Sequence, residues 1–117
     1  MARSTTFGDP LELIEKRWTL RILLCLGNGE HRFSDLRSAI PRVAPNVLTE
    51  RIRSLESAGL IERRYLPPPS ARHVYALAPS AAGLIPVLDA LASWQAGFHN
   101  ASLRKHGVED GRPPITE

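Results

Sequence analysis

Four polar side chains, Asn46, Thr49, Glu50 and Arg53, recur three and four residues apart within "APNVLTERIRSLESAGL", residues 44–60. On a helix that spacing stacks them on one face. Each has a base-edge partner in a DNA major groove. Asn pairs bidentately with adenine, Arg with guanine, and Thr meets the thymine methyl. Glu50 either accepts from the cytosine amine or holds Arg53 or Arg51 in place. Ser57 shares this side but lies farther along. The opposite sector carries Leu48, Ile52 and Leu55, which would lock the helix to a body and turn the polar face outward. An ordinary solvated face has the same look, so the surroundings must decide between the two.

Those surroundings are basic. Between His31 and Leu77 stand eight arginines, Arg32, Arg37, Arg42, Arg51, Arg53, Arg63, Arg64 and Arg72, against four acids, Asp35, Glu50, Glu56 and Glu62. The rest of the chain holds seven basic and eight acidic residues, so the whole excess of the +3 chain lies in this segment. Arg32, Arg37, Arg42, Arg51, Arg63, Arg64 and Arg72 are candidates for phosphate contacts, which set affinity and register rather than sequence choice. Some are equally explained as surface ion pairs. Only Lys16 and Lys105 are lysine. That bias suits the planar fork that grips phosphate and guanine, and a GC-rich genome would produce it too.

The elements that must position these residues follow from pattern. Residues 1–8 form a flexible arm. Asp9 or Gly8 opens a first helix with Pro10 at its first position. Thr19 caps or joins a second helix, Leu20 to Leu26, that is apolar on most sides and ends at "GNG". "HRF" at 31–33 suits a very short strand, and Ser34 the N-cap of a third helix carrying Leu36 and Ile40. The turn "IPRVAP" leads into the polar-faced helix, about 46–58, which Gly59 stops. Strand-forming runs at about 61–66 and 72–77 flank "PPPSA", a stiff loop. A long helix then runs from about 81 to 106, before a disordered tail, 107–117. Helix, turn, helix and hairpin make a winged helix-turn-helix, mainly α with a small β-hairpin wing, in one domain over 9–106.

Leu84, Val87, Leu88, Leu91, Trp94 and Phe98 make a wide apolar stripe on the last helix. It serves either a dimer or the protomer's own core. A dimer would set two polar-faced helices about one DNA turn apart. Trp18, Trp94 and Phe98 either line a pocket for an unidentified small-molecule effector or are plain core.

Catalysis finds little support. His31, His73, His99 and His106 form no ligand set with Cys25, and no phosphate-cradling loop or nucleophile elbow is present. No enzyme activity and no cofactor are expected. Cys25, the single cysteine, sits in an apolar run and reads as a small hydrophobe. The N-terminus lacks a signal-peptide core and no apolar run reaches the ~20 residues of a membrane span, so a cytoplasmic protein is expected.

Four stretches, "LELIEKRWTLRILLCL", "RFSDLRSAIPRVAPNVLTERIRSLESAGLIERR", "RHVYAL" and "PVLDALASW", occur in this order. Together they resemble the HxlR-type winged helix-turn-helix transcriptional regulators of bacteria, over roughly residues 11 to 95. The resemblance implies a homodimer, built largely by the terminal helices, on a two-fold double-stranded operator. The chain departs from the pattern at three places. Thr5 stands near where many members carry a cysteine, Asn46 where a basic residue is frequent, and Val74 where an acid is common. The competing reading is a winged helix used for protein–protein contacts.

Overall fold

The computed structural model describes residues 9–107, so the expected arm (1–8, with Thr5) and the tail beyond Gly107 lie outside the described residues. The described fold has five α-helices, α1 (Pro10–Ile14), α2 (Thr19–Gly27), α3 (Phe33–Ala39), α4 (Pro45–Ser57) and α5 (Ile85–Gly107), and one antiparallel hairpin packed on α2 and α4. Its strands are β1 (Ile61–Leu66) and β2 (Arg72–Leu77), and a 3-10 segment, Pro79–Leu84, precedes α5. This is a winged helix-turn-helix, mainly α.

The Asp9 carboxylate caps α1 by accepting from the Leu11 N–H at 3.0 Å, with Pro10 at the first helical position. The chain then reverses at Trp18, which has a left-handed φ of 78°. Thr19 is not the cap. It is the first residue of α2, fully buried, and its hydroxyl finds no partner among the described residues. Trp18 occupies the cap position without a side-chain bond.

At α3 the cap also moves. Ser34 lies inside the helix, and the cap residue is Arg32. Asp35, at the third helical position, reaches back to the Arg32 N–H at 2.9 Å and to its guanidinium at 3.1 Å. These bonds hold the Asp35 carboxyl down to about 2, the Arg32 guanidinium contributing most. A depressed carboxylate contributes stability that is complete above its unfolded value of 3.8 and is lost as pH falls toward about 2. Urea titrations of the parent and of Asp35→Asn across that window should therefore differ in slope. The parent loses stability as pH falls, and the variant loses less.

α4 begins one residue earlier than the sequence pattern suggests because Pro45 takes the first helical position, where its missing N–H costs nothing. It closes in a Schellman motif. The Gly59 N–H donates to the Glu56 carbonyl at 2.9 Å and the Leu60 N–H to the Leu55 carbonyl at 3.0 Å. Gly59 supplies the required positive φ, 81°.

β1 and β2 pair from Ile61 with Leu77 to Leu66 with Arg72. The "HRF" strand reduces to a single bridge, in which His31 and Tyr75 exchange both backbone bonds, at 3.0 and 2.7 Å. A helix from residue 81 would lose the Pro86 N–H bond and press its ring on the preceding turn. The chain instead winds as a 3-10 helix to Leu84, and the α-helix starts at Ile85 with Pro86 at its second position.

Leu13, Ile22, Leu23, Leu36, Leu48, Ile52, Leu55, Ile61 and Leu88 meet in one core. α4 gives it the three residues expected, Leu48, Ile52 and Leu55. Leu88 belongs to it too, seated against Gly27, and so is not available as a dimer contact. Leu84 and Leu91 are half-buried, while Val87, Trp94 and Phe98 are exposed. The whole stretch from Ala92 to Ala101 is exposed, so the second half of α5 leaves the body.

Candidate nucleic-acid interface

With Leu48, Ile52 and Leu55 buried, the outer face of α4 is set by the 3.6-residue period. Asn46, Glu50 and Arg53 are exposed on it and Thr49 is half-buried. Thr49 and Arg53 open onto a cleft of about 470 Å³ between α4 and the hairpin, shared with Ile52, Glu56, Arg63, Tyr75 and Phe33 of α3. The outer face of α4 and the hairpin thus share one continuous surface.

The register explains which hairpin residues join it. Ile61, Arg63 and Tyr65 project to one face of β1, and their partners Leu77, Tyr75 and His73 share that face. Arg63 and Tyr75 therefore look toward α4. Beyond them the Tyr65 and His73 rings pack at 5.1 Å.

Arg64 falls on the other face and is engaged there, at 2.7 Å from Glu62 and 3.7 Å from Glu30. Arg32 is tied to Asp35 as the α3 cap. Arg51 points to the body. Its Nε donates to the Arg17 carbonyl at 2.9 Å, its Nη1 pairs with Glu50, and its side chain is only 17% exposed. The Arg17 guanidinium in turn lies over the Trp18 ring at 4.8 Å. Arg51 is thus a strut fixing α4 to the α1–α2 junction rather than an outward cation. Of the seven expected phosphate residues, Arg37, Arg42, Arg63 and Arg72 are exposed and carry no ion pair among the described residues.

Glu56, Tyr75 and Phe33 escaped the sequence reading. Glu56 had a signal, being three residues after Arg53 and seven after Thr49 on the same helix. The hairpin and α3 residues had none short of the register. Trp18, Trp94 and Phe98, readable from sequence either as an effector pocket or as plain core, do not all come together among the described residues, and Trp94 and Phe98 are not core. Trp94 instead borders a groove of about 190 Å³ with Leu20, Leu24 and Leu91, while Trp18 packs on the core. Phe98 stacks on Trp94, ring centroids 5.3 Å apart. Burial raises the Cys25 thiol above its usual range, which disfavours the reactive thiolate. Among the described residues no cluster of acids, histidines and cysteine is placed to hold a metal, and no helix is long and apolar enough to cross a membrane.

Comparison with known proteins gives the same architecture. A Bacillus subtilis HTH-type transcriptional regulator, YvaP, is 33% identical over 88 residues, covering 75% of this chain and 82% of its own. The crystal structure of an HTH-type transcriptional regulator, YtcD, superimposes with a TM-score of 0.65 at 30% identity, covering 83% of this chain and 99% of that one. An HxlR family transcriptional factor from Thermoplasma volcanium does so with a TM-score of 0.65 at 29% identity, over 83% and 87%. The HxlR-like helix-turn-helix family model matches residues 13–103, nearly all of the described fold, and the chain belongs to that family.

Proposed function

We propose that this protein is a sequence-specific double-stranded DNA-binding transcriptional regulator that acts as a homodimer in the cytoplasm, by binding and without catalysis. α4 enters the major groove, where Asn46, Thr49, Glu50 and Arg53 face base edges. Arg63 and Arg72 of the hairpin, with Arg37 and Arg42, meet phosphates. The observation that carries this reading is the single surface joining the outer face of α4 to the hairpin's Arg63 across the cleft. Support for the homodimer comes from α5, on which every residue from Ala92 to Ala101 is exposed, Trp94 and Phe98 included.

A gel-shift series at moderate salt tests it, with the protein's own upstream region against random duplex. The upstream region should shift at lower protein concentration. Equal shifts would count against the regulator and favour a winged helix that binds other proteins. In the same assay Arg72→Ala should weaken every duplex alike and lower the slope of log affinity on log salt by about 1 per protomer. A change confined to one sequence would contradict its phosphate role.

A further inference from the structure

We propose that the cleft between α4 and the hairpin binds a small aromatic monocarboxylate, and that its occupant competes with DNA for Thr49 and Arg53. The second half rests on the DNA-binding reading above, while the first does not.

The volume, about 470 Å³, falls within the roughly 300–1,000 Å³ of small-molecule sites. Two cations from different elements face it, Arg53 of α4 and Arg63 of β1, and neither has an ion-pair partner among the described residues. Guanidinium groups are the strongest side-chain partners for a carboxylate because they offer paired, charge-assisted donors.

The remaining lining selects what hangs from that carboxylate. Ile52, only 2% exposed, lines the cleft from the core side. The half-buried rings of Phe33 and Tyr75 stand beside it. The backbone carrying Tyr75 is fixed by its two bonds to His31. The exposed lining is mostly polar, and Ile52, Phe33 and Tyr75 add to it one apolar and aromatic strip, which suits the face of an aromatic ring.

Glu56 adds the last constraint. A carboxylate in the cleft opposes a second negative charge and accepts from a hydroxyl. Two cations against one anion leave room for a single anionic group. The class so defined is an aromatic acid with one carboxylate and a hydroxyl on its ring.

Competition follows from position. Thr49 and Arg53 line the cleft and also face the groove, so an arginine gripping a ligand carboxylate cannot also grip guanine.

Calorimetric titration of the full chain without DNA tests the site, using para-hydroxybenzoate, benzoate and inorganic phosphate as probes. Saturable binding of para-hydroxybenzoate, tighter than benzoate and with none for phosphate, is expected. Arg53→Ala and Arg63→Ala should each weaken it about tenfold or more. Lys16→Ala, which removes a positive charge at the α1–α2 junction, should bind like the parent. Circular dichroism confirms that the variants fold, as the exposure of these side chains implies. No saturable heat, phosphate binding as well as the aromatic acids, or an Arg63→Ala protein indistinguishable from the parent would each overturn the site. Labelled upstream duplex then tests competition, and para-hydroxybenzoate should release it. A duplex that stays bound with the site saturated overturns that half. A protein that binds para-hydroxybenzoate but shifts no duplex upholds the site and counts against the DNA-binding reading instead.

Discussion

Arg53→Ala will weaken binding to the selected DNA site by about 1–3 kcal/mol, roughly fivefold to 150-fold, and will relax the preference at one base position per half-site. Its side chain is exposed at the centre of the outer face of α4 and makes no ion pair among the described residues. The free protein therefore loses little by the change, and melting temperature should barely move. The cost falls on the complex, where a bidentate arginine discriminates among base pairs. Asn46 and Thr49 on the same face should show smaller effects of the same kind, since each offers fewer or weaker donors. Selection of bound sequences from a randomised duplex pool reads the outcome directly. A uniform loss on all sequences would reassign Arg53 to the backbone.

The second large effect is expected on α5. Replacing Trp94 and Phe98 together with aspartate should convert a dimer to a monomer in sedimentation, with the protomer still folded. Both side chains are 61% exposed and stack on one another, so the protomer's core does not depend on them. Aromatic side chains of this size bury about 150–250 Å² each at an interface. Each ring is already partly covered in the protomer and interface area yields less than the transfer value of about 25 cal/mol per Å², so the pair contributes on the order of a few kcal/mol to association, and two-fold symmetry applies the loss twice. Removing that and adding two like charges per protomer at a symmetric contact will separate the subunits. DNA affinity should fall with it, because a lone protomer reads a single half-site. A parent chain that sediments as a monomer would end the dimer proposal, and the groove beside Trp94 would then be simple surface.

How much of this was legible beforehand depended on which force set each feature. Strand limits 61–66 and 72–77 were readable because three prolines and a residue-type change mark both ends of the hairpin. α4 was readable because Leu48, Ile52 and Leu55 leave one way to seat it. Arg51 was misjudged, although its position carried a warning. It stands three residues after Leu48 and four before Leu55, at the margin of the apolar face, where a long side chain folds back over the body. Ser34 suits a cap by type, but Asp35 at the third helical position accepts from the Arg32 N–H in a charge-assisted bond, and this starts the helix two residues earlier than a Ser34 cap would. Leu88 shared its stripe with Trp94 on paper. It is buried because the fold brings this turn of α5 onto Gly27 at the end of α2, a neighbour that the local pattern does not supply. The cleft could not be read locally, since its walls come from three elements joined only by the fold.

The paired backbone bonds between His31 and Tyr75 bear on binding thermodynamics. They join the hairpin to the segment that enters α3, so the hairpin is held from a second side and does not swing as a free ribbon. Ordering a flexible arm on a duplex would cost conformational entropy for each residue fixed. Here that ordering is completed during folding. On the proposed DNA-binding reading, Arg63 and Arg72 are carried on a hairpin whose backbone is already fixed, so encounter charge rather than loop rearrangement should govern how fast the complex forms.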